Sequence, residues 1–248
     1  MNAAFRPFLQ FAVAAFVLMA ASAQAAGPAE IRLGYSDDAP ASVVLRKLGW
    51  TEQEFARDAV AVKWIKTGSG EALSKIAGKT LDLAPAGDTE SLIARAAGGE
   101  IKSLYVLSRQ DARDAPHYVF LNTSARFLAA HRVEAERVIA VYERARRWIQ
   151  ANPEEAAGII AEEAGMPVAQ ARQQLAVRDF SVSRPGPAQA QALKAAVPAL
   201  VQQGRIQAGT DTVRVVDELI DDRVLRSAMR RVEQRFAGAG QGELALGW

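Results

Sequence analysis

Between Val60 and Ser108 the hydrophobic pattern repeats one plan: a short apolar run, a turn of small residues, then a segment of helical period. Val60-Ala61-Val62-Lys63-Trp64-Ile65 is rich in β-branched and aromatic residues and predicts a strand. Thr67-Gly68-Ser69-Gly70 then leads into a predicted helix over 71–77, closed by Gly78. Leu81 to Ala84 predicts the next strand, and Gly87-Asp88-Thr89 opens a helix over 91–97 that Gly98-Gly99 stops before Ser103 to Ser108 extends again. Upstream, Glu30 to Tyr35 reads as a first strand and Ser36 to Pro40 as its turn. A helix from Pro40 follows, with Val43, Val44 and Leu48 on its apolar face and Gly49 at its end. Thr51-Glu52-Gln53-Glu54 has the form of a capping box. Strand, turn and helix in alternation predict an α/β fold with a parallel sheet. The turns then gather at the carboxyl ends of the strands, where helix N-termini present free N–H groups.

Past the polar break at Asp111 to Pro116, His117 to Leu121 fits one more strand or an extended connection, and from Ser124 the period becomes helical. Val138, Tyr142, Ala145, Trp148 and Ile149 form one apolar stripe, with Glu136, Arg137, Glu143, Arg144 and Arg147 assigned to the opposite face. Asn152-Pro153-Glu154-Glu155 restarts the helix with Asn152 as cap, and Gly165 ends it. Helices are expected over 167–177, over 188–203 with a kink at Pro198, and over 212–236. The expected organisation is a leader over 1–25, an α/β lobe over 26–123, a helical region over 124–236 and a Gly/Ala-rich tail over 237–248.

The leader changes the picture of where the protein works. Met1 to Ala25 carries Arg6, an apolar run from Phe8 to Ala21 and Ala23-Gln24-Ala25 before Ala26, the pattern of a secretory signal peptide with its cleavage site. That run is shorter than the roughly 20 residues that span a bilayer. Without it 29 basic residues face 28 acidic ones, so the sequence pI near 9.0 reflects a small excess and not a basic face for nucleic acid. The chain has no cysteine, which excludes disulfides, thiol catalysis and cysteine metal sites.

Catalytic signatures are missing as well. His117 and His131 do not lie at metal-ligand spacing, and the pairs Asp37-Asp38, Glu154-Glu155 and Asp221-Asp222 are adjacent in sequence, which turns their side chains apart. Gly68-Ser69-Gly70 lacks the Lys and Ser/Thr of a phosphate-binding loop and the third glycine of a dinucleotide fingerprint. No cofactor and no metal are expected. Trp64 and Trp148 are assigned to the core.

Taken in order, Ile31 to Tyr35, Leu48-Gly49-Trp50 through Trp64, Ser69-Gly70-Glu71-Ala72-Leu73, Leu81-Asp82-Leu83 with Gly87-Asp88-Thr89, and the helix Ala145 to Ala157 give the chain a resemblance. It resembles substrate-binding proteins of ABC importers, of the aliphatic sulfonate, taurine and nitrate type. The resemblance implies a type II periplasmic-binding fold, export to the periplasm, no enzymatic activity, non-covalent capture of a small solute and delivery to an inner-membrane ABC permease. The protein would act as a monomer. An alternative is a shortened relative that has lost solute capture and acts as a periplasmic interaction protein.

Two departures qualify that expectation. Family members continue after the segment like Leu104 to Gln110 into a second lobe with its own sheet, whereas here His117 to Asn122 and the late helices follow at once. One parallel-sheet lobe plus a helical half is therefore expected, with the second lobe's sheet reduced or absent. The resemblance places ligand contacts at Ser36, Asp37, Ser69, Gly70, Gly87, Asp88 and Thr89. Helix capping by itself explains Ser69 and Asp88 equally well. Pro85-Ala86 stands where the family commonly has Ser-Thr, and Asp37 and Asp38 would repel an anion. Weak or absent binding of simple alkanesulfonates is expected, with a neutral or amine-bearing ligand that Asp37 or Asp88 could pair.

Overall fold

The computed structural model describes residues 27–111 and 116–238, so the expected leader, most of the polar break and the tail beyond 238 lie outside the described residues. Six strands form one sheet: β1 (Glu30–Tyr35), β2 (Ala61–Lys66), β3 (Leu83–Gly87), β4 (Ile101–Gln110), β5 (His117–Ser124) and β6 (Arg178–Asp179), in the order β2-β1-β3-β5-β4-β6. β1 pairs in parallel with β2 and β3, as the strand–turn–helix pattern requires. β5 lies antiparallel between β3 and β4, so the sheet is mixed.

Helices cover both faces. On one side lie α1 (Pro40–Leu48), α2 (Trp50–Ala56), α6 (Arg132–Ala151), α7 (Pro153–Ala164), α8 (Val168–Ala176) and α11 (Arg223–Gly238); their core includes Leu33, Val44, Phe55, Tyr105, Leu121, Val138 and Tyr142. On the other lie α3 (Ser69–Ala77), α4 (Asp88–Ala96), α9 (Pro187–Gln202) and α10 (Thr212–Leu219), packed with Ile76, Leu92, Val106, Phe120 and Leu193. A short α5 (Ala125–Ala130) leads into α6, capped by Ser124 Oγ, which accepts the Phe127 N–H at 3.0 Å. Alternation along β5 explains the division: Phe120 faces one core and Leu121 the other. The late helical region thus closes both faces of one sheet, the only sheet among the described residues. No helix among them is long and apolar enough to cross a membrane.

Several local expectations are corrected. Thr51 is buried inside α2, whose N-cap is Gly49, so no capping box forms there; Glu52 instead accepts the Trp64 indole N–H at 2.8 Å. Ser69 and Asp88 are first helical residues and not caps, because Gly68 and Gly87 hold the extended cap positions. Asn152 sits at the cap of α7, but its side chain donates back to Trp148 O at 3.0 Å, closing α6. The helix expected over 212–236 is two, since Ile220 bridges Ser103 and the Asp221 N–H donates to Ser103 O at 3.0 Å.

The polar face assigned to α6 is also wrong at two positions: Glu136 and Glu143 are 5% and 1% exposed. Glu143 is held from three sides, accepting the Tyr105 hydroxyl at 2.7 Å, Arg146 Nε at 2.7 Å and Arg147 Nε at 2.5 Å. Burial pushes this carboxyl up, yet the two guanidiniums and the phenol outweigh it and leave the group below its usual range. Arg146 also donates to Phe180 O, so the cluster ties α6 to β4 and to the segment after β6. At the amino end of β1, Asp82 accepts the Arg32 backbone N–H at 2.8 Å and its guanidinium at 2.6 and 3.0 Å. This fork fixes β1 against the start of β3.

Candidate functional site

The direction of the strands brings one set of ends together. β4 runs the same way as β3, while β5 and β6 run against them, so the ends of β1, β3 and β4 and the starts of β5 and β6 share one edge of the sheet. A cleft of about 390 Å³ opens there. Its wall comes from six segments: Asp38 after β1, Gly87 to Glu90 at the β3–α4 turn, Ser108 and Gln110 on β4, His117 to Val119 on β5, Arg178 on β6 and Arg205 after α9.

Asp88 is the best-anchored polar group in the cleft. Its Oδ1 accepts the Thr89 N–H at 2.7 Å and its Oδ2 accepts the Tyr118 N–H at 3.1 Å. Burial pushes the carboxyl above its usual range, and these two backbone donors with nearby His117 pull against that. The carboxylate thus occupies one amide at the start of α4 and one at the start of β5 that a bound anion would otherwise use. His117 stands at the rim, its Nδ1 3.9 Å from Asp88 Oδ1.

Arg178 is the counterpart. Its Nη1 donates to Gln174 O at 2.7 Å and its Nη2 to Asp38 O at 3.4 Å, so both contacts are carbonyls. Burial pulls its guanidinium below the usual arginine range, with the Asp38 charge acting against this. Neither Arg178 nor Arg205 makes an ion pair among the described residues. Ser108, on β4, is 2% exposed and lines the same wall.

Of the expected contacts, Gly87, Asp88 and Thr89 line this cleft. Ser36, Asp37 and Gly70 are not in its wall. Ser36 Oγ accepts the Asp38 N–H at 3.2 Å, which shapes the turn, and Asp37 pairs with Lys66 at 2.9 Å on the surface. Ser69 and Gly70 form the first turn of α3 after the edge strand β2, and a Cβ at Gly70 would meet open space. Ser108, His117, Arg178 and Arg205 had no local signal. His117 opens the stretch expected as a strand or extended connection, and the two arginines lie just past the ends of the helices expected over 167–177 and 188–203. The larger concavity, about 610 Å³ between α2, α6 and α11, lies away from the strand ends. Three of its four arginines are engaged: Arg137 with Glu54 and Asp58, Arg231 with Glu136, and Arg144 stacked on Trp50 at 3.8 Å.

Strand order, helices on both faces and a cleft at the strand ends describe a known architecture. The alkanesulfonate-binding protein SsuA from Xanthomonas axonopodis pv. citri, bound to MOPS, superposes with TM-score 0.64 at 16% identity, over 80% of this chain and 100% of that one. The chain has a periplasmic-binding-protein fold. The periplasmic aliphatic sulphonate binding protein SsuA from Escherichia coli has this fold too, at TM-score 0.65 and 12% identity over 76% of this chain and 92% of that one. So does the periplasmic nitrate-binding protein NrtA from Synechocystis PCC 6803, with TM-score 0.65 and 12% identity over 83% of this chain and 89% of that one. No family model and no curated protein matches the sequence. The solved structures that share the fold are named as sulfonate- and nitrate-binding proteins, the type that the ordered motifs resemble.

Proposed function

We propose that the protein is the periplasmic solute-binding component of an ABC importer, a monomer that holds a small solute non-covalently and passes it to an inner-membrane permease. The observation that carries this reading is the cleft at the carboxyl ends of β1, β3 and β4, where six chain segments converge polar groups on about 390 Å³. The structures with the same fold are named as sulfonate- and nitrate-binding periplasmic proteins, which supports solute capture over catalysis. The apolar leader ending in Ala23-Gln24-Ala25 supports export, with the mature chain beginning at Ala26. Of the expected contacts, Gly87, Asp88 and Thr89 belong to this site, joined by Ser108, Arg178 and Arg205.

Thermal-shift screening of the exported protein against sulfonates, nitrate, amines and amino acids tests the reading. A true ligand at 100 times its Kd adds about 2.7 kcal/mol of stability, a shift of several degrees. If no solute raises the melting temperature, capture is rejected and the interaction-protein alternative takes its place. Recovery of intact Met1 to Ala25 in the membrane fraction would reject export as a cleaved, soluble protein.

A further inference from the structure

Resting on that reading of the cleft, we infer that its solute is a small amino-carboxylate, with the carboxylate on Arg178, Arg205 and Ser108 and the ammonium facing Asp88, Glu90 and Asp38. Three carboxylates and two guanidiniums line the cleft, and the two signs do not neutralise each other in pairs. Arg178 is bonded only to carbonyls, Arg205 makes no ion pair, and Asp88 faces backbone N–H groups and the rim histidine. Burial disfavours the charge on Arg178 and on Asp88 alike, so each is left short of an opposite charge.

A simple anion would pair with the arginines and meet three carboxylates; a simple amine would do the reverse. A zwitterion adds no net charge and supplies the missing partner to both ends. The anionic end is assigned to a carboxylate because the two planar guanidiniums of the lining suit two coplanar oxygens. Of the amides at the start of α4, the Thr89 N–H is already taken by Asp88 itself, which leaves a three-oxygen sulfonate one donor fewer there. Ser108, 2% exposed, adds a hydroxyl donor to the same wall.

Calorimetry on the exported protein separates the outcomes. The panel is glycine, β-alanine, 4-aminobutyrate and the α-amino acids, with propionate, ethylamine, ethanesulfonate and taurine as comparisons. At least one amino-carboxylate is expected to bind while propionate and ethylamine, each carrying one end alone, do not. Arg178→Gln is expected to weaken that binding roughly ten- to hundredfold, the equivalent of one charged hydrogen-bonded contact. Arg205→Gln, an exposed position, gives a second readout should Arg178→Gln disturb folding. Tighter binding of taurine or ethanesulfonate, or equal binding of propionate or ethylamine, overturns the amino-carboxylate assignment while leaving solute capture standing. Binding that neither arginine variant weakens overturns it too. No binding by any member overturns both.

Discussion

Asp88 Oδ2 accepts the Tyr118 N–H at 3.1 Å, so one side chain fastens the first turn of α4 to the start of β5. The same carboxylate also takes the Thr89 N–H, and its anchoring is therefore structural before it is ligand-directed. Asp88→Ala leaves a buried strand-start amide unpaired and should cost about 1–3 kcal/mol. Urea unfolding measures this; an unchanged midpoint would show that the contact does not hold β5.

Glu143 gives the largest expected loss. Glu143→Ala removes the shared acceptor of Tyr105, Arg146 and Arg147 and strands a half-buried guanidinium, for a cost of roughly 3–5 kcal/mol. Tyr105→Phe removes one hydrogen bond to a charged group and should cost about 1.5–3 kcal/mol. A Glu143→Ala variant as stable as the parent would mean that the cluster is energetically idle.

The same residue sets an acid limit. The Glu143 carboxyl lies below its ordinary value of 4.5 when folded, so the unfolded chain takes up this proton first as pH falls. Its contribution is complete above about 4.5 and is lost as pH drops through the folded value. Urea midpoints at several pH values should fall more steeply below that point for the parent than for Glu143→Gln. Parallel curves would assign the acid sensitivity to other carboxylates.

β1 and β3 approach closely at Gly34, since a Cβ there would stand 2.5 Å from the Ala84 Cβ. Gly34→Ala is expected to cost about 1–3 kcal/mol by overpacking, and adding Ala84→Gly should restore much of it. Thermal melts of the single and double variants decide this. Equal losses in both would place the strain elsewhere.

Much of the fold was legible because period and turn chemistry agree: β1 to β4 and the helices following them lie within a few residues of where the pattern puts them. Of the residues expected at strand–helix turns, Gly87, Asp88 and Thr89 line the cleft, because β3 lies in the middle of the sheet beside β5, whereas Ser69 and Gly70 follow the edge strand β2. Arg178 and Arg205 gave no sign, because what brings them to the cleft is the antiparallel seating of a two-residue strand and a turn after α9. Glu136 and Glu143 misled for a related reason. Their burial depends on arginines one turn along α6, and for Glu136 also on Arg231 of α11, and a hydropathy period counts such charges as solvent-facing. The break between α10 and α11 follows from Ser103, more than a hundred residues away in sequence.

β4 and β5 stay paired up to Gln110 and His117, which face one another at the mouth of the cleft. The sheet is therefore indifferent to what the chain does between those two residues. A segment leaving at Gln110 and re-entering at His117 starts and finishes on hydrogen-bonded neighbours, and each doubling of its length adds only about 0.6 kcal/mol of closure entropy. A further unit spliced in at this point leaves every strand of the sheet in its order. Whatever evolution or an engineer grafts there arrives already facing the cleft.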